Sequence, residues 1–175
     1  MAFSSLRALI GGGGGGSGRG VFGGGNAGSV SDVIDYITIS STGNATDFGD
    51  LTVARGLLAA TSNGTTGRGV FGGGYSASNL DVIDYITISS TGDASDFGDL
   101  TVARERPAAT SNGTTGRGVF GGGHDGSAYS NVIDYITISS TGNASDFGDL
   151  TGVRYDLGAT SNGTTGRGVF GGGHD

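Results

Sequence analysis

Residues 67–101 read GRGVFGGGYSASNLDVIDYITISSTGDASDFGDLT, and nearly the same words return along the whole chain. GRGVFGGG begins at Gly18, Gly67, Gly116 and Gly166, VIDYITIS at Val33, Val82 and Val132, and DFGDLT at Asp47, Asp96 and Asp146, in steps of 49 or 50 residues. A fixed period of this size marks a repeat architecture, in which one supersecondary unit is copied and stacked. The N-terminus joins the series, because RALIGGGGGGSGRGVFGGG, from Arg7, lies without a gap on GLLAATSNGTTGRGVFGGG one period later. The chain therefore reads as a single repeat domain over 1–175, with units at about 7–54, 55–103 and 104–153 and a half unit at 154–175.

Within a unit the residue types predict four short extended runs. Run A is LLAATS (57–62), run B is RGVFGG (68–73), run C is VIDYITISS (82–90) and run D is SDFGDLTV (95–102). Asn-Gly in SNGTTG supplies the positive φ angles of a tight hairpin between A and B. Run C is rich in β-branched and aromatic residues and has no helical period. It carries Val82, Ile86 and Ile88 on one face and Ile83 and Tyr85 on the other, as expected of a sheet covered on both sides. The fold class expected is all-β, an array of four-stranded antiparallel units.

Composition narrows the function. The 175 residues include 40 Gly, no Cys, no Trp and no Lys; nine Arg face 15 Asp and a single Glu, for a net charge of −7. That balance argues against nucleic acid, whose binders present a basic face. Lack of Cys removes disulfides, thiolate metal sites and cysteine nucleophiles. No apolar run approaches the roughly 18–20 residues of a membrane span, and MAFSSLRALI is too short and too weakly apolar for a secretory leader.

The unit resembles the Kelch-type β-propeller repeat, whose hallmarks are a diglycine closing the second strand, an aromatic in the third and fourth, and an Arg before the next unit. Gly72 and Gly73, Tyr85, Phe97 and Arg104 take those places, with Phe97 where the family has Trp. The resemblance implies about three and a half blades, with an open β-repeat array as the alternative. Closed propellers have 4–8 blades, so the expectation is a fragment, a ring closed by several chains, or an open solenoid. Kelch propellers mostly bind proteins or glycans. The copper-oxidase branch needs Cys, Tyr and His ligands and is set aside for lack of Cys. The wording NVIDYITISSTGNASDFGDLT (131–151) is also similar to repeats of phage-associated proteins, which implies a virion or tail component, placed in a particle or outside the cell without a secretory leader.

Each candidate for chemistry has a plainer reading. Gly-x-Gly-x-x-Gly in GRGVFGG holds a dinucleotide only between a strand and a helix start; here it recurs four times inside a predicted strand and reads as structural. The pairs Asp47/Asp50, Asp96/Asp99 and Asp146/Asp149 offer two carboxylates, fewer than a calcium loop needs. No Ser-His-Asp set can be assembled around His124 and His174. No cofactor, metal or catalytic residue is expected, and no enzyme. Arg55, Arg104 and Arg154 recur before each run A and are expected to pair with a repeated Asp, tying units together.

The copies differ in two places, the B–C loop (NAGSVSD, YSASNLD, HDGSAYSN) and the D–A junction (ARGLLA, ARERPA, VRYDLG). In an up-and-down meander these fall on one face, as binding loops on a scaffold do. Tyr75, Glu105, Arg106, His124, Asp125, Tyr129, Tyr155 and Asp156 are the residues expected to meet a ligand or partner. The function expected is a non-enzymatic structural or binding module of a larger assembly, or a glycan- or receptor-binding adhesin using this variable face. Protein partners and a homo-oligomer or virion assembly go with the first, and a glycan with the second.

Overall fold

The computed structural model describes residues 8–11 (backbone only), 18–62, 64, 66–112, 116–162 and 166–175. Among them there is no helix. The strands are β1 (Ala8–Gly11), β2 (Arg19–Gly23), β3 (Val33–Thr38), β4 (Thr46–Asp50), β5 (Ala59–Ser62), β6 (Arg68–Gly72), β7 (Val82–Thr87), β8 (Ser95–Asp99), β9 (Ala108–Ser111), β10 (Arg117–Gly121), β11 (Val132–Thr137), β12 (Ser145–Asp149), β13 (Gly158–Ser161) and β14 (Gly168–Gly171). They form three four-stranded meanders, β1–β4, β5–β8 and β9–β12, and the pair β13–β14, all antiparallel.

The strands are shorter than the expected runs, for local reasons. Leu57 takes a φ of 59°, so run A becomes a strand only at Ala59. The strand of run C ends at Thr87, although Ile88, just past it, is buried and donates its N–H to the Gly67 carbonyl at 2.8 Å. Run D ends at Asp99. The A–B hairpin turns fall largely outside the described residues, which omit Asn63, Thr65, 113–115 and 163–165; so do Arg7 and most of the polyglycine.

A bulge sits at the same place in every complete sheet. Ile83 faces Gly98 but Asp84 faces Asp96, leaving Phe97 as the extra residue. An extra residue twists the strand and re-aims its side chain. Phe97 turns into the core and meets Tyr85 edge to face, centroids 5.9 Å apart.

The sheets stack through one repeated joint. β1 lies beside β5, β5 beside β9 and β9 beside β13, and the Ser111 hydroxyl donates to the Ser62 carbonyl at 2.5 Å along this row. Phe48 clusters with Ile86, Ile88 and Ala94 of the next sheet, and Phe97 with Ile136, Ile138 and Ala144. Arg19 donates across the joint to the Ile88 carbonyl at 2.8 Å, and Arg68 to the Ile138 carbonyl at 3.0 Å. The edge strand of one sheet is covered by the turn of the next: Gly92 N donates to Phe48 O and Ala94 N to Asp50 O, both at 2.7 Å. The turn's side chain answers, Asp93 accepting from Asp50 N and Asn143 from Asp99 N at 3.1 Å. Covering an edge in this way removes the unpaired groups that invite aggregation.

Candidate functional site

The recurring arginines hold the face that carries the variable residues, their backbones bonding to the B–C loops at Ser31 and Leu80. Arg55 and Arg104, the last residues of the D–A approach, are fully buried. A buried guanidinium demands a counter-charge. Arg55 Nη1 donates to Asp84 Oδ2 at 2.8 Å, and Arg104 Nη1 lies 2.9 Å from Asp134 Oδ2, off the hydrogen-bond axis. Both carboxylates are themselves fully buried, and Thr52 and Thr101 of the preceding sheet donate hydroxyls to them at 2.6 and 2.5 Å. Burial lowers the pKa of each arginine and its aspartate pushes it back up. The acceptor is thus the Asp in the middle of run C, not an Asp of DFGD. Arg154 differs: it is half-buried and donates to the Thr151 hydroxyl at 3.4 Å.

Past each arginine the chain makes a short bridge that aligns the variable residues. Gly56 bridges Tyr75, which bridges Asn79; Glu105 bridges His124, which bridges Tyr129; Tyr155 bridges His174. The D–A junction and the B–C loop therefore share a face. Neighbouring units touch along this row, Asn79 Nδ2 donating to the His124 carbonyl at 2.8 Å. The next residue, Leu57, Arg106 or Asp156, has φ of 54–59° in each unit. Arg106 N donates to the Leu57 carbonyl at 2.7 Å, a bond that helps hold this uncommon backbone in place.

Between the third sheet and β13–β14 these residues gather into a shallow groove lined by Glu105, Arg106, His124, Tyr129 and Tyr155. Tyr129 stacks on Tyr155 at 4.6 Å and 29°, His124 tilts against Tyr129 at 5.5 Å, and His174 stacks on Tyr155 at 5.4 Å. The Arg106 guanidinium sits 5.5 Å from the Tyr155 ring centre and pairs with Asp156 at 2.9 Å. Tyr129 lifts the Tyr155 hydroxyl above its ordinary 10.0, so that hydroxyl keeps its proton at neutral pH. His124 Nδ1 accepts from Gly126 N at 3.1 Å and stands 3.9 Å from Glu105. The surface offers ring faces beside hydroxyls, a guanidinium and two carboxylates, suited to a ligand with both apolar and polar edges.

Six of the eight expected residues, Glu105, Arg106, His124, Tyr129, Tyr155 and Asp156, come together here. Tyr75 keeps its place one unit earlier, 39% exposed. Asp125 turns back on its own loop, accepting from Ser127 N and Ala128 N at 2.8 Å. His174 belongs to the stack but was not among the expected residues; its alignment with His124 one period earlier was the available signal. Among the described residues no group of three or more His, Cys, Asp or Glu side chains is placed to hold a metal.

The two amides on Asp125, Ala128 first, hold its carboxyl below the ordinary 3.8. A depressed acid stabilises the fold above its unfolded pKa and loses that contribution as pH falls through the folded value. The Asp125 turn is therefore expected to be intact at neutral pH and to open only below about pH 3.8. Amide chemical shifts of Ser127 and Ala128, followed through an acid titration, would check this. A midpoint above that value would contradict it.

A scan against protein-family models finds no match, and a search of curated proteins returns no significant relative.

Proposed function

We propose that this chain is a non-enzymatic binding and structural module, built of Kelch-like propeller blades and serving as one element of a larger assembly such as a phage virion or tail. The observation that carries the reading is a division of labour within the repeat. Residues that join one sheet to the next are copied from unit to unit, while those that differ are aligned on one face by the Glu105–His124–Tyr129 and Tyr155–His174 bridges. Four-stranded meanders whose first strands lie side by side support the propeller blade. So does the family's Arg, which occupies a buried clamp. The virion or tail setting, outside a cell, rests on the likeness of the repeat wording alone. Protein partners, including further copies of this chain, are the contacts this reading calls for.

A second reading, a glycan- or receptor-binding adhesin, is favoured by one feature: the Tyr129–Tyr155 stack flanked by Arg106, Glu105 and Asp156. Ring contacts of this kind contribute about 0.5–1.5 kcal/mol beyond burial, up to roughly tenfold in affinity. A glycan array probed with the wild-type chain and with Tyr129→Ala separates the two. Retention of the wild type with about tenfold weaker binding by the variant would establish the adhesin. Silence from both would leave the structural module. Binding unaffected by Tyr129→Ala would remove this face from the function.

A further inference from the structure

The joint between sheets occurs twice inside the chain, and each of its halves is displayed once more without the other among the described residues. On the third sheet Phe147 is 54% exposed, against 2% for Phe48 and Phe97. A Cβ at Gly148 would meet nothing, whereas at Gly49 and Gly98 it would strike the turn of the following sheet. Arg117 lies over the Tyr135 ring at 4.3 Å, as Arg19 lies over Tyr36 and Arg68 over Tyr85 at 4.4 Å, so the third sheet presents the same joint residues as the first two. On the first sheet Ile39 is 58% exposed, against 4% for Ile88 and 0% for Ile138, and the turn 43–45 is exposed. One chain therefore carries both sides of a joint that it already makes with itself, which names the occupant: a second copy.

A second copy cannot dock whole. The position beside β9 is filled by β13–β14, while the first sheet of the incoming copy brings its own β1–β2. The two hairpins are interchangeable, however. β14 and residues 20–23 of β2 are both GVFG, and Val169 faces Thr160 as Val21 faces Ile10. Among the described residues β14 pairs with β13 alone, and Val169 is 56% exposed.

The geometry points to a head-to-tail strand exchange, in which β13–β14 of one copy replaces β1–β2 beside β3–β4 of the next. Phe147 is then covered by Ile37, Ile39 and Ala45 of the next copy, and Asp149 N meets Asn44, as Asp99 N meets Asn143. The arrangement rests on the propeller reading: each copy keeps two sheets of its own, β5–β8 and β9–β12, its β1–β2 hairpin is displaced, and each joint adds one sheet shared between copies, so two copies closing on each other hold six, inside the 4–8 of closed rings. Such a joint is heterologous, and it closes when the rotation permits.

The chain lacks Cys, so thiols can be placed at will. Arg19 faces Thr38 across β2–β3; after exchange Arg167 of the neighbour stands there. Full-length Arg167→Cys and Thr38→Cys proteins, unfolded and refolded together under mild oxidation, should give a disulfide-linked heterodimer. Light scattering of the wild type should give twice the chain mass. A monomeric mass with no cross-link overturns the exchange. An Arg117→Cys, Thr137→Cys chain, whose thiols face each other within the third sheet, reports on the sheets themselves: a link there and none between Arg167→Cys and Thr38→Cys sinks the exchange alone. Phe147→Asp, at an exposed site, should keep the β circular-dichroism spectrum and run as a monomer; an unchanged oligomer would also overturn the proposal. Glycan retention on the array is read independently, so the binding reading stands or falls apart from this one.

Discussion

Replacing Arg104 with methionine is expected to lower unfolding free energy by roughly 3–5 kcal/mol, the cost of stranding one partner of a buried ion pair. Asp134 has no exposure, and its remaining donors, the Thr101 amide and hydroxyl, carry no full charge. A loss of that size is a large share of the roughly 5–15 kcal/mol that holds a typical domain together. The double variant Arg104→Met, Asp134→Leu should recover most of it, since an apolar pair has no desolvation cost to offset. Arg154→Met is the internal control: the same repeat position, here half-buried and donating to the Thr151 hydroxyl, should change stability by less than about 1 kcal/mol. Urea unfolding curves of the three proteins decide the matter. Equal midpoints for Arg104→Met and Arg154→Met would mean that the clamp contributes nothing.

The Gly98→Ala chain should be the second severe case, and for a different reason. Gly98 has φ of +141°, and a Cβ there would stand 2.5 Å from the Gly142 carbonyl carbon of the following turn. Gly148, one period later, has φ of +130° and open space around it. Both substitutions bear the backbone strain, about 1–3 kcal/mol; Gly98→Ala alone adds overpacking, about 1–3 kcal/mol more. Thermal unfolding of the two variants side by side isolates the second contribution. Indistinguishable losses would show that the turn does not approach the edge strand as closely as described.

Much of the architecture was legible beforehand because it is local. VIDYIT and GVFG are strands wherever they occur, since β-branched residues and flanking glycines act within a few positions. The shared face of the B–C loops and D–A junctions followed from meander geometry, and the bridges Gly56–Tyr75, Glu105–His124 and Tyr155–His174 lie there. The all-β class, with antiparallel sheets repeated along the chain, was read from pattern alone.

Other features escaped because they depend on distant partners. Asp84 sits in an apolar run and gives no sign of being buried; its cation is 29 residues earlier and on the far side of a joint between sheets. The bulge that turns Phe97 inward shows only in the pairing of Ile83 with Gly98 and Asp84 with Asp96. Positive φ at Leu57 and Arg106 involves residue types that ordinarily avoid it.

The clearest division lies in residues of identical wording. The sequence by itself determined period, strand type and the residues of the joint, because propensity and alternation are properties of a short stretch. It could not say that Ile88 is 4% exposed and Ile39 58%, or Phe97 2% and Phe147 54%, since each pair has the same neighbours in sequence. Burial is set by what lies across the joint, and only the tertiary structure decided which copies of the joint are filled.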